Sequence, residues 1–100
     1  MATATMIVEL KYVDWERFKA FLDRANEHRK DFSGTGHTMA RDLDDPESVR
    51  VIVNFDDLDK GTDWASATSD PDVLDSILEA AALAERPRIW IGEDVEHVRY

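Results

Sequence analysis

The sequence contains no cysteine. Disulfides, thiolate metal sites and cysteine nucleophiles are therefore excluded together. Basic residues are scarce as well: 12 Lys and Arg stand against 22 Asp and Glu, for a net charge of −10. That balance repels phosphate backbones, and no Lys or Arg run stands apart from acidic neighbours, so neither nucleic acid nor a membrane surface is an expected partner. No apolar run approaches the ~18 residues of a membrane span. The opening MATATMIVEL has no basic n-region and its apolar stretch is broken at Glu9, which is not the pattern of a secretory signal. The default location is the cytoplasm, although a chain without cysteine also suits export.

Several catalytic motifs are missing too. Gly34 and Gly36 follow a predicted helix rather than a strand, so they lack the context of a dinucleotide-binding loop, and the GxGxxG spacing fails. Ser33 is not in a GxSxG elbow, and no GxxxxGK loop exists, which disfavours serine hydrolases and nucleotide hydrolases. Asp56, Asp57, Asp59 and Asp63 invite a calcium reading, but counting from Asp57 the sixth position is Thr62 rather than Gly and the twelfth is Thr68 rather than Glu. These carboxylates read instead as helix caps and a solvated helix face. The histidines His28, His37 and His97 are not spaced for metal, so no metal is expected.

What is present is an ordinary globular profile: 100 residues, 43% hydrophobic and 9% aromatic. A chain of this length makes one compact domain, residues 1–100, burying roughly 60 to 70% of its unfolded surface. Alternation from Met6 to Val13 predicts a half-buried strand. Asp14 stands at an N-cap position before Trp15, Phe18, Phe21, Leu22 and Ala25, whose three- and four-residue steps predict a helix from about Trp15 to Asp31. Gly34 is expected in the left-handed conformation that ends a helix. A short strand over His37–Asp42 then leads through a hairpin at Leu43–Ser48, with Pro46 in the turn, into a strand carrying Val49, Val51, Val53 and Phe55 on one face. Asp56 or Asp57 caps a second helical region that Asp70-Pro71 restarts, and a last strand covers Arg88–Glu93, with Val95–Tyr100 as a candidate extension.

The order β-α-β-β-α-β is the ferredoxin-like α+β arrangement, a four-stranded antiparallel sheet with two helices on one face. The second sheet face keeps alternating apolar residues and needs a cover. A second copy of the same sheet is the economical one, which implies a homodimer.

Particular segments add a likeness. Val8–Phe18 (VELKYVDWERF), Arg41–Pro46 (RDLDDP), Asn54–Leu58 (NFDDL), and Trp64-Ala65 ahead of Asp70-Pro71 resemble the dimeric α+β barrel superfamily, most closely its small cyclase-like and antibiotic-biosynthesis-monooxygenase-like members. The likeness covers nearly the whole chain, and its motifs mark turns and helix anchors. It implies a homodimer whose two sheets form a barrel, with a pocket in each subunit between helices and sheet. Activities in the superfamily include cofactor-free oxygenation of polycyclic aromatics, polyketide cyclisation, haem degradation and lactone isomerisation. The haem-degrading members use an Asn of the first strand region with a Trp and a His along the second helix. Here only Trp64 has a counterpart, so haem chemistry is not carried over.

The candidate site follows from residue chemistry. His37 opens a strand after a glycine turn and shares its face with Arg41, so that an imidazole and a guanidinium could activate and orient an enolic or phenolic oxygen. These two are the candidate catalytic residues. The alternative is an exposed strand-end histidine with Arg41 paired to Asp42 or Glu47. Asn54 is a candidate hydrogen-bond donor, and Tyr12, Trp64 and Trp90 are candidate walls for a flat ligand, with core anchor the stronger reading of Trp64. His28, beside Arg29 and Lys30, reads as a solvated helix-end cation favoured by the helix dipole. Two functions remain open: a cofactor-independent cyclase or monooxygenase acting on a small aromatic or polyketide-like metabolite, and a non-catalytic module that binds a small ligand or simply dimerises. An open helix-to-sheet space favours the first, and a space filled by Trp15, Phe18 and Trp64 favours the second.

Overall fold

The structure, a computed structural model, describes residues 2–100. Strand β1 (Ala4–Lys11) leads into helix α1 (Trp15–Lys30), then β2 (Gly34–Arg41), β3 (Ser48–Phe55), helices α2 (Leu58–Thr68) and α3 (Pro71–Ala80), and β4 (Arg88–Glu93). The sheet is antiparallel throughout, in the order β2-β3-β1-β4. This is the ferredoxin-like α+β fold, with the helices packed on one face.

Alternation decides that face. Ala4, Met6 and Val8 of β1 register with Phe55, Val53 and Val51 of β3, and all six are buried with Phe18 and Leu22 of α1. Fully burying a side chain such as Phe18, Phe55 or Met6 contributes about 1.5–3 kcal/mol, so these few positions fix the register. Ile7, Ile52 and Trp90 alternate with them and point to the other face, where Trp90 remains 57% exposed.

The helix starts follow the sequence. The carboxylate of Asp14 accepts from the Arg17 N–H at 3.1 Å, that of Asp57 from Lys60 at 3.0 Å and that of Asp70 from Asp72 at 2.9 Å, each satisfying an orphan donor of a first turn. At the hairpin the Asp42 carboxylate accepts from the backbone N–H of Asp44 and of Asp45, which accounts for the acidic tip without any ligand.

Three expectations are corrected. Ser33, not Gly34, takes the left-handed conformation after α1, with φ 66°. Glycine is needed at 34 for a different reason: a Cβ there would stand 2.8 Å from the Arg29 carbonyl oxygen. Strand β2 consequently begins at Gly34 rather than His37, with an irregularity between Gly34 and Gly36 that absorbs the close approach. Residues 95–100 do not extend β4; the chain leaves the sheet after Glu93, and Val95 and Tyr100 are exposed. Among the described residues no helix is long and apolar enough to cross a membrane.

Candidate functional site

Helix α3 buries none of its residues fully, so the helix layer does not seal against the sheet. Between the two lies a cavity of about 480 Å³. Its floor is β1 and β3, through Met6, Val8 and Val51. One wall is α1, through Phe21, Ala25 and the polar Arg24, His28 and Arg29; the opposite wall is Trp64 and Thr68 of α2 with Val73 and Ile77 of α3. The volume lies within the about 300–1,000 Å³ of typical small-molecule sites, and the lining is apolar apart from a few converging groups.

The charge of those groups is one-sided. None of the 22 acidic residues of this acidic chain lines the cavity, whereas Arg24, His28 and Arg29 do. Arg29 is the unusual member. It continues the stripe of Phe18, Leu22 and Ala25 and is only 8% exposed. Its Nη1 donates to Asn26 Oδ1 at 2.7 Å, its Nε has no acceptor, and among the described residues no carboxylate pairs with it. Burial lowers its pKa to about 10, which leaves it cationic at neutral pH.

Arg29 also borders a smaller recess of about 190 Å³ that holds His37, Asn26 and Gly36. Desolvation by burial lowers the pKa of His37, and the Arg29 and Lys19 cations push the same way against a smaller opposing effect of Asp23. The imidazole is therefore predominantly neutral at pH 7.

The six candidate residues read from the sequence do not come together. His37 and Arg41 share a strand face, but four residues of strand separate them by about 13 Å. Arg41 instead lies over the Trp15 ring at 5.4 Å and donates to the Tyr12 hydroxyl at 3.3 Å. Tyr12 stacks on Phe18 and donates to the Pro46 carbonyl. Arg41, Tyr12 and Trp15 lie outside the cavity, which this cluster meets only through Phe18. Asn54 and Trp90 are on the opposite sheet face, Asn54 beside Thr5 and Asp94. Trp64 alone lines the cavity, and it also packs on Phe32 at 5.3 Å, so it is anchor and wall at once.

Arg24, Arg29 and Thr68 were not among the sequence candidates, and His28 read as a solvated helix end. The available signal was periodicity: Arg29 falls seven residues after Leu22 and four after Ala25, a charge set into an apolar stripe. His28 is indeed exposed in the last turn of α1, yet it stands at the cavity mouth.

No family model matches the sequence, and no curated protein matches it. Solved structures do share its fold. A candidate antibiotic biosynthesis monooxygenase of Bordetella bronchiseptica superposes with a TM-score of 0.67 at 14% identity, covering 96% of this chain and 100% of its own. SnoaB, a cofactor-independent oxygenase of Streptomyces nogalater, gives 0.63 at 17% identity over 99% of this chain and 97% of its own. A further candidate monooxygenase of this type, from Deinococcus radiodurans, gives 0.59 at 14% identity with 97% of each chain covered. At these identities the likeness establishes a shared fold.

Proposed function

We propose that the protein is a cofactor-independent cyclase or monooxygenase that takes a small aromatic or polyketide-like metabolite into the cavity between helices and sheet. The observation that carries this reading is the open apolar space of about 480 Å³ lined by two arginines, a histidine and Thr68, with no acidic residue among them. SnoaB, with the same fold, lends support as an oxygenase that works without a cofactor.

In this reading Trp64 stacks against the flat part of the substrate. His28, at the mouth, accepts a proton from an enolic or phenolic position, and Arg24 and Arg29 stabilise the oxyanion that results. The enolate then closes on a carbonyl of the same molecule or reacts with dioxygen. Low dielectric in the apolar space strengthens both cation contacts. Cytoplasmic location fits such a role.

The active unit is a homodimer in this reading. Ile7, Ile52 and Trp90 leave an apolar strip on the uncovered sheet face, flanked by the Arg50–Glu9 ion pair at 2.9 Å, and a second sheet covers it economically.

Aerobic incubation of the metal-stripped protein with a panel of anthrones and linear polyketide mimics tests the activity. Turnover that falls about 10²-fold or more in His28→Ala supports the assignment, and turnover unchanged in that variant contradicts it. The reading as a binding module rests on His28 itself, whose imidazole makes no hydrogen bond to any described residue that would orient it as a base. Ligand binding with no turnover across the panel would favour that module.

A further inference from the structure

The smaller recess beside the end of α1 takes no part in the chemistry of the cavity. About 190 Å³ in volume, it lies between the last turns of α1 and the start of β2, where Asn26, Arg29, Lys30, Thr35 and His37 line it. In a chain with 22 acidic residues against 12 basic ones, none of the acidic residues borders it. The partial negative charge that ends a helix is muted as well, because the carbonyls of His28, Arg29 and Lys30 already accept from the N–H groups of Asp31, Phe32 and Ser33.

Position 26 shows what Arg29 lacks. Its Nη1 donates to the Asn26 side-chain oxygen at 2.7 Å, and Asn26 borders the recess but not the cavity, so the terminal end of the guanidinium is turned toward the recess. An aspartate at 26 would offer a carboxylate in the same place, and a charge-assisted bond there would be roughly twice as strong. One of only two asparagines in the chain stands there instead. The cation is thus oriented but not neutralised: Nη1 keeps a second N–H, and Nη2 makes no hydrogen bond to any described residue. His37 reaches the same recess from β2, on the face it shares with buried Val53, and a neutral imidazole brings one more N–H donor. It senses the cations of Arg29 and Lys19, with only Asp23 opposing them. Walls that are cationic, rich in donors and free of carboxylates attract an anion that brings several acceptor oxygens.

We propose that this recess is an anion site that takes a phosphate group, whose oxygens accept from the terminal nitrogens of Arg29 and from the His37 imidazole while Lys30 adds its charge at the wall. Phosphate suits these walls better than a carboxylate does, because its three or more free oxygens can meet donors that converge from a helix and a strand. The group is supplied either as free phosphate or as the phosphate end of a monoester. Occupancy needs no ligand in the cavity, so it is independent of any turnover there.

Inorganic phosphate, titrated at pH 7.5 and constant ionic strength into nitrogen-15-labelled protein, tests the site through the Gly36 amide and the His37 imidazole. Saturable shifts with a Kd of about 1 mM or tighter are expected in the wild type, the yield of a few charge-assisted hydrogen bonds. The His37 pKa should rise when phosphate is bound, because the anion offsets Arg29 and Lys19. Asn26→Asp, which gives Arg29 the missing carboxylate with no change of shape, should weaken binding at least about tenfold. Arg88→Gln, which removes an exposed charge on the other sheet face, should leave the Kd within about twofold. Shifts that do not saturate, that chloride reproduces at the same ionic strength, or that keep wild-type affinity in Asn26→Asp overturn the proposal. So does an equal loss in Arg88→Gln, which would make the attraction a matter of net charge alone. Should Asn26→Asp fail to fold by circular dichroism, Arg29→Met answers the same question by the same criterion. Ethyl phosphate separates the two sources: competition by it identifies the end of a monoester and its exclusion identifies free phosphate, both upholding the site, while binding of neither overturns it.

Discussion

The space in which a Cβ at position 34 would stand is occupied by the carbonyl oxygen of Arg29, 2.8 Å away. Gly34 thus lets the end of α1 press onto the start of β2, and the same contact holds Arg29, which lines both the cavity and the smaller recess. Because the obstacle is backbone, it cannot swing aside. Gly34→Ala should therefore destabilise the fold by about 1–3 kcal/mol, the usual cost of overpacking. Urea denaturation reads this as a lower midpoint with an unchanged slope, and an unchanged midpoint would contradict the packing argument.

Arg29 should behave in the opposite way. If its charge serves a ligand, the empty protein gains by losing it, because replacing a buried unpaired ion with an apolar side chain of similar length removes a desolvation penalty. Arg29→Met is expected to melt at the wild-type temperature or above it, with each 1 kcal/mol gained raising Tm by roughly 4–8 °C in a domain of this size. A loss of several degrees would mean that Arg29 is a structural residue.

His37 provides a pH test. Its folded pKa is depressed below the ordinary 6.5, first by burial and then by the cations of Arg29 and Lys19. The unfolded chain therefore binds the proton more readily, and the contribution of this group is full above pH 6.5 and is lost as the pH falls through the lower folded value. Stability should decline in that window, and His37→Gln should flatten the decline. By proton NMR the imidazole should titrate below 6.5 and move upward in Arg29→Met. A midpoint unaffected by Arg29→Met would show that the two side chains do not sense each other.

The uncovered sheet face predicts association. Light scattering should return twice the chain mass of 11.4 kDa, and Ile52→Glu, placed in the middle of that face, should return the single-chain value. A wild-type protein at 11.4 kDa would contradict the homodimer.

Legibility in the sequence followed the physics of each feature. The elements were legible because local chemistry specifies them: the alternation of Val49, Val51, Val53 and Phe55, and the caps Asp14, Asp57 and Asp70. The left-handed residue was misassigned because glycine is the usual occupant of that conformation, while here Gly34 answers a tertiary contact with α1 that no local pattern records. The site was harder still. His37 and Arg41 share a face by period two, but sharing a face does not bring side chains 13 Å apart into one constellation, about the reach of four strand residues. The cavity draws its lining from six elements spread along the chain, and Arg29 became visible only when its lack of a partner did.

The three tryptophans allow one measurement to decide among all the candidate places. Trp64 lines the cavity, Trp15 lies under Arg41 in the aromatic cluster, and Trp90 stands on the uncovered sheet face. Their indole N–H resonances, assigned by single Trp→Phe substitutions, can be followed together while 2-naphthoate is titrated into nitrogen-15-labelled protein. A ligand in the cavity between helices and sheet shifts the Trp64 indole and leaves those of Trp15 and Trp90 in place. A shift confined to Trp15 or Trp90, with Trp64 unmoved at saturation, would contradict it.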